Sequence, residues 1–236
     1  MGKFKLNKKF FGRLLRIILW VILGFLLLSF LSVLLFKFVN PPFSPLMIIR
    51  AVEQKFDGKP MQIHKKWVSI DNISPNLLVA VISSEDNKFL EHHGFDWDAI
   101  KQAYDSNKKG RKVKGASTIS QQTAKNVFLW PSRSYIRKGF EAYFTFLIEL
   151  MWSKKRILEV YLNIIEMGDG VYGAEEASMT YYKKPASRLS VSEAAAIASI
   201  LPNPRLFNPV KPSARIALHQ RWIINRMAQV GRIKFK

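Results

Sequence analysis

Two adjacent carboxylates, Glu85 and Asp86, come directly after an apolar run that has helical spacing. The pattern over Leu77–Ile82 predicts a helix that ends close to these acids. A helix dipole disfavours anions at its C-terminus by about 0.3–1 kcal/mol each, so stability does not favour this placement. A carboxylate beside apolar surface has a raised pKa, which suits a general base. The residue types alone leave a second interpretation open, a solvated turn that carries an acidic pair.

The segment that begins at Gly115 combines small residues with neutral hydrogen-bonding side chains. Small residues let a backbone approach a ligand closely, and amide and hydroxyl groups suit the polar groups of sugars. On a helix, i,i+3 and i,i+4 spacing places four polar side chains on one face, namely Thr118, Gln121, Gln122 and Lys125. A polar face that ends in a cation would suit a sugar diphosphate, and a capped surface helix is the alternative interpretation.

Two further segments carry charge. Arg137, Lys138 and Glu141 are predicted to lie in one long helix. There Arg137 and Glu141 have the i,i+4 spacing of an ordinary surface ion pair. In the segment from Lys154 to Asn163 the apolar positions indicate core packing, so we assign it a structural role. Taken one at a time, none of the four segments identifies a reaction.

The elements that must position these segments are mostly helices. Ser44-Pro45 and Ser74-Pro75 each place a capping residue before a proline at the first helical position. Met61–Ile70 partly alternates and predicts a strand or hairpin arm, while Lys108–Lys114 predicts a mobile loop. The expected fold class is mainly α with a small β element. Helices are predicted over 45–56, from Ser74 to the acidic pair, from Asp96 to about 108, and near 118–127, 134–152, 154–164, 172–182, 191–200 and 213–229.

The N-terminal part of the chain has the composition of a membrane anchor. Residues 1–16 hold six basic residues and no acid, and the 20 residues of Ile17–Phe36 carry no charge. At 1.5 Å per residue, this run matches a hydrocarbon core of about 30 Å. The sequence thus predicts a basic cytoplasmic tail at 1–16, a single transmembrane helix at 17–39 and an external domain at 40–236. Two alternatives fit this segment less well. A cleaved signal peptide has a shorter apolar core and a small-residue cleavage site, which Asn40-Pro41-Pro42-Phe43 does not offer. A buried core helix would show a polar face toward solvent, and this run has none.

The chain is strongly basic and contains no cysteine. Its net charge is +20, of which the tail contributes six, so the predicted external part carries +14. Such a charge suits anionic partners, such as lipid headgroups or diphosphate, although an ordinary basic surface would look the same. Location outside the cytoplasm argues against nucleic acid. The lack of cysteine excludes a disulfide framework and thiolate metal ligands.

The order of the four segments is more specific than any one of them. E-D-x-x-F-x-x-H-x-G, G-x-S-T-I-x-Q-Q-x-x-K-N, R-K-x-x-E and K-x-x-I-L-E-x-Y-L-N resemble the successive motifs of glycosyltransferase family 51. This family comprises the transglycosylase domains of class A penicillin-binding proteins and their single-domain biosynthetic relatives. The resemblance runs from about Ser69 to Arg226, and no transpeptidase domain follows. Two departures are visible. Gly115-Ala116 replaces a Gly-Gly pair, and Arg221–Met227 matches the last motif only loosely.

The resemblance implies a lysozyme-like helical domain that polymerises lipid II into β-1,4-linked glycan with inversion. Glu85 would be the general base, and Glu141 would act on the donor side by orienting cations or assisting the leaving group. Lys125 and Arg137 would hold the diphosphate. Diphosphate leaves readily, so this reaction needs a base and positive charge, whereas a glycosidase needs a paired acid and base. The other substrate-binding positions implied are Asp86, Phe89, His92, Ser117, Thr118, Gln121, Gln122, Asn126 and Lys138.

Several expectations follow for partners and location. The partners would be lipid II, the growing strand and the bilayer of the bacterial inner membrane, with other cell-wall synthesis or division proteins left open. No cofactor is required, and the resemblance leaves a divalent cation, Mg or Mn, open. Two other functions compete, a lysozyme-like lytic transglycosylase or hydrolase and a non-enzymatic cell-wall-binding scaffold. Aromatic residues could face the membrane or pack in helices, namely Phe128, Trp130, Phe140, Tyr143, Phe144 and Phe146.

Overall fold

The computed structural model describes residues 8–108, 117–132, 134–231 and 233–235. The start of the predicted tail, nearly all of the predicted loop at 108–114, and the Gly115-Ala116 pair lie outside the described residues. The chain divides into two compact units at the Val39–Asn40 junction.

The first unit contains one long helix, α1 (Lys8–Phe38). Its 28-residue stretch Phe11–Phe38 contains an 18-residue window with a mean hydropathy of 2.8, so the helix is long and apolar enough to cross a membrane. The helix begins before the apolar run and includes basic residues such as Arg13 and Arg16. The predicted boundary between tail and anchor is therefore a change in composition within one helix.

The second unit is mainly α with a small sheet, which confirms the predicted fold class. Its elements in chain order are α2 (Pro45–Phe56), β1 (His64–Lys65), α3 (Pro75–Glu85), α4 (Trp97–Lys108), α5 (Ile119–Phe128), α6 (Tyr135–Met151), α7 (Lys154–Ile164), β2 (Glu166–Gly168), β3 (Val171–Tyr172), α8 (Ala174–Tyr182), α9 (Val191–Ile200) and α10 (Ala214–Val230).

The small sheet differs from the sequence-based expectation. Only His64–Lys65 of the predicted arm is a strand, and it pairs in parallel with β3, while β2 pairs with β3 in antiparallel fashion. The helix predicted to begin at residue 172 begins at Ala174, because Tyr172 belongs to the sheet and Gly173 is the capping residue. Gly173 precedes this helix with φ +83°, and a Cβ there would lie 2.8 Å from the backbone oxygen of Asn163. Only glycine suits this turn.

The core consists of two groups of packed helices. Helix α3 packs against α9 and α10, while α5 packs against α6 and α7. The residues of α3 from Leu77 to Ser83 are buried, and so is the run Ala194–Ala198 of α9, whose small side chains let the two helices approach closely. The acidic end of α3 lies beside the start of α5, where Ile119 N donates a hydrogen bond to Asp86.

Candidate active site

Glu85 is the last residue of α3 and lies half-buried beside α5. Gln122 Nε2 donates a hydrogen bond of 3.0 Å to Glu85 Oε2, and Ser84 Oγ donates a longer one of 3.4 Å to Oε1. Burial raises the pKa of Glu85 and the charge of Asp86 adds to this effect, while the bonds from Gln122 and Ser84 oppose it. A carboxylate in these surroundings binds a proton more readily than one in water.

The Gln122 amide is itself held by Tyr161, a fully buried residue of α7. Tyr161 Oη donates to Gln122 Oε1 at 3.2 Å, which leaves the amide nitrogen to face Glu85. Burial raises the pKa of Tyr161 well above its ordinary value, so the phenol remains a donor. Sequence reasoning assigned Tyr161 to core packing alone and missed this contact, because periodicity reports burial and does not report what a hydroxyl touches.

Asp86 is buried, and its carboxylate joins the first motif to the start of α5. It accepts a hydrogen bond from Ile119 N at 2.9 Å and lies 2.9 Å from His92 Nε2. Because Gly94 N donates to His92 Nδ1 at 3.1 Å, the proton of a neutral ring is on Nε2, which donates to Asp86. Thr118 Oγ1 donates to Gly94 O at 2.7 Å. These contacts place α5, and therefore Gln122, relative to Glu85.

Other residues of the first two motifs lie in the protein interior. Phe89 is fully buried, with Lys154 Nζ 4.6 Å above its ring centre. Gln121 is buried and accepts a hydrogen bond from Thr118 N at 3.0 Å, which completes a capping box at the start of α5. Ser117 is exposed just before that helix. Phe89 and Gln121 shape the site from behind.

A cluster of charged residues lies where α5 and α6 meet. Glu141 is buried and accepts hydrogen bonds from Arg137 Nη1 at 2.5 Å and from Lys138 Nζ. Arg137 Nε also donates to Ser132 O. Burial lowers the pKa of Lys125, the charge of Glu141 raises it, and Arg137 and Lys138 lower it further. Three cations thus share one buried carboxylate, which leaves an excess of positive charge.

A cavity of about 550 Å³ is lined by members of both groups. Gln122, Lys125 and Asn126 of α5 line one wall, and Arg137 lines the wall formed by α6. The other lining residues are Leu46, Arg50, Leu129, Trp130, Pro131, Ser132, Ile165, Glu166, Leu201 and Pro204. Arg50 and Glu166 were not predicted, because neither lies in one of the four motifs. No signal in a single sequence separates them from surface charges.

The described residues include no group of three or more His, Asp or Glu side chains that could hold a metal ion.

The arrangement brings two capabilities close together, because Gln122 lines the cavity and contacts Glu85, while Lys125 and Arg137 line the cavity themselves. A carboxylate with a raised pKa can accept a proton from a hydroxyl group, and the cations can stabilise negative charge that develops on a leaving group. Glu141, which accepts bonds from two cations, is suited to orienting them.

Comparison with known proteins gives a consistent result. A family model described as Transglycosylase matches residues 52–228. A protein of Bdellovibrio bacteriovorus is 51% identical over 212 residues, which cover 89% of this chain and 85% of that protein. A protein of Cronobacter sakazakii is 50% identical, with 96% and 95% covered. A protein of Bacteroides thetaiotaomicron is 54% identical, with 84% and 80% covered. Each of the three is named biosynthetic peptidoglycan transglycosylase.

Proposed function

The chain belongs to the transglycosylase family and is a peptidoglycan glycosyltransferase, and from this premise we propose which residues perform the reaction. The substrate class is the lipid-linked disaccharide and the glycan strand made from it. Glu85 takes the proton from the 4-hydroxyl group of the acceptor sugar. The acceptor oxygen then forms a bond to the anomeric carbon of the donor.

The donor side of the reaction uses the cationic wall of the cavity. As the new glycosidic bond forms, the bond between the anomeric carbon and the diphosphate oxygen breaks, and its electron pair stays on the diphosphate. Lys125 and Arg137 stabilise that charge, and Glu141 keeps Arg137 and Lys138 oriented. Attack from the face opposite the leaving group inverts the anomeric configuration. Glu85 then releases its proton to water.

One observation carries this proposal. Helix α5 presents Gln122, which contacts the base, and Lys125, which lies three residues further along the same face. Gln122 and Lys125 line the same cavity, so the acceptor hydroxyl and the donor diphosphate can occupy neighbouring positions.

The pH dependence of strand synthesis tests the role of Glu85. Activity should fall as the pH drops through the raised pKa of Glu85, because the protonated acid cannot accept a proton. Gln122→Leu removes a hydrogen bond that lowers this pKa, so the acidic limb of kcat/KM against pH should move to higher pH. Gln102→Leu, at an exposed position of α4, is the matched control. An acidic limb that stays in place in Gln122→Leu would show that another group titrates.

We also propose that an exposed apolar stripe on α6 contacts the bilayer. Ile136, Tyr143, Phe146 and Leu150 share one helical face, and Phe146 and Leu150 are 60% and 67% exposed. Two of the aromatic residues considered as membrane contacts pack against each other instead. Phe144 is buried, and the ring of Phe128 stacks on it with centres 4.5 Å apart.

Charged substitutions test the α6 stripe in the full-length protein reconstituted in vesicles. Phe146→Glu with Leu150→Glu should lower synthesis from a long-chain, membrane-resident substrate by about tenfold or more. Synthesis from a short-chain, water-soluble analogue should not change. Asn225→Glu with Gln229→Glu, two exposed positions on α10, controls for the added charge. Unchanged synthesis from the long-chain substrate, or equal losses on both substrates by a variant that keeps its thermal midpoint, would contradict the membrane contact.

We propose a single-pass protein of the inner membrane, with the N-terminus in the cytoplasm and the second unit on the outer side. The support is the basic composition of residues 1–16, which precede the apolar stretch of α1.

A further inference from the structure

The wall of the cavity contributed by α2 and β2 carries a pair of opposite charges that the mechanism above does not use. Arg50 Nε and Glu166 Oε2 are 3.9 Å apart, and both residues line the cavity. Glu166 is only 7% exposed, and its Oε1 atom accepts no hydrogen bond from any described residue. The buried Nε atom of Arg50 likewise donates none within the described part of the chain.

These two open positions are unusual for a purely structural ion pair. Arg50 satisfies another of its donors, because Nη1 bonds to Glu53 Oε2 at 2.6 Å. Buried polar atoms in folded proteins are nearly always hydrogen-bonded, and leaving one without a partner costs free energy. Here a donor and an acceptor are left unpaired side by side at a cavity wall. A ligand that carries both a donor and an acceptor would satisfy them together.

The charges around this pair indicate what kind of ligand fits. Glu53, Glu166 and Asp169 are acidic, while Arg50 and Arg205 are basic, and Arg205 Nε lies 3.4 Å from Asp169 Oδ1. With the carboxylates ionised, the group has no excess of positive charge, so it does not suit a diphosphate or a peptide carboxylate. A neutral group with hydroxyl and amide functions fits better.

We propose that Arg50 and Glu166 form a sugar-binding position that holds the hydroxyl or N-acetyl groups of a hexosamine ring of the substrate. Glu166 Oε1 accepts a hydrogen bond from a hydroxyl or amide N–H, and Arg50 Nε donates one to a hydroxyl or acetyl oxygen. The proposal rests on the function proposed above and adds to it. The cavity then binds the substrate at two walls. Lys125 and Arg137 hold the diphosphate, and Arg50 and Glu166 hold the saccharide.

Binding measurements with two probes test the sugar-binding position. The full-length protein in detergent is titrated with fluorescent lipid II and, separately, with polyprenyl diphosphate, which lacks sugar. Arg50→Met and Glu166→Met should each weaken lipid II binding by about tenfold, because one hydrogen bond to the saccharide is lost. Binding of polyprenyl diphosphate should be unchanged. Glu166→Gln, which keeps an acceptor, should recover part of the loss.

The control is Lys55→Met, which removes an exposed cation of the same helix that does not line the cavity and should leave both affinities unchanged. Unchanged lipid II affinity in both Met variants, or equal weakening of the two probes, would overturn the proposal. Synthesis by the unmodified protein separates the two claims. If that protein makes strands while the variants bind lipid II normally, only the sugar-binding position is wrong. If it makes none, the proposed function is wrong.

Discussion

Replacing Glu85 by glutamine should lower the rate of glycan strand synthesis by about 10²–10⁴-fold, the usual contribution of a general base. The amide has nearly the same shape, and its oxygen can still accept the hydrogen bond from Gln122. It cannot take a proton from the acceptor hydroxyl at ordinary pH. Lipid II binding should therefore persist while turnover is lost, which single-turnover and binding measurements can separate.

The same variant should be at least as stable as the unmodified protein. Because the fold raises the pKa of Glu85, the ionised carboxylate is disfavoured in the folded state relative to the unfolded chain. That cost is absent at low pH and present once the pH exceeds the folded pKa. A neutral amide removes it, so the thermal midpoint near neutral pH should stay constant or rise.

Glu91→Gln is the matched control for Glu85→Gln. Glu91 belongs to the same segment but is exposed. Its replacement should leave the rate unchanged. A Glu85→Gln protein that synthesises strands at the full rate would exclude Glu85 as the base, whatever the behaviour of the control.

Glu141→Gln should have the second-largest effect, a loss of activity on the order of 100-fold. Glu141 is the carboxylate to which both Arg137 and Lys138 donate. A neutral amide leaves these two cations and Lys125 without a counter-charge, and Arg137 loses the partner that orients it. Loss of the Glu141 charge should also lower the pKa of Lys125 further, since that charge raises it.

The pH profile distinguishes this account of Glu141 from simple unfolding. Lys125 must be protonated to stabilise the diphosphate, so activity should fall as pH rises through its lowered pKa. In Glu141→Gln this alkaline limb should move to lower pH. The control is Glu193→Gln. Glu193 lies on α9 and pairs with Lys184 at 2.6 Å, so its replacement should leave the alkaline limb in place. A Glu141→Gln protein with an unshifted alkaline limb would contradict the coupling to Lys125.

The helices were predictable because the signals that begin them are local. Ser44 and Ser74 cap α2 and α3, each before a proline, and Ser190 forms a capping box at the start of α9. The sheet was not predictable to the same degree. His64 pairs with Val171, more than a hundred residues away, and strands of two or three residues are too short to show a period.

The site residues also differ in how far the sequence could predict them. Spacing along α5 placed Gln122 and Lys125 on one face, as the structure has them. It could not distinguish these from Thr118 and Gln121, which are buried at the cap of the same helix. Which helices meet is a tertiary property, so the contact of Tyr161 with Gln122 had no signal in the sequence. The roles of the individual site residues stay predictions until variants are measured.

The most direct test of the central claim is product analysis with purified full-length protein and lipid-linked disaccharide in vesicles. We expect β-1,4-linked strands, one polyprenyl diphosphate released for each bond formed, and no release of fragments from finished sacculi. Cleavage of sacculi without any strand formed from the lipid-linked precursor would contradict the account.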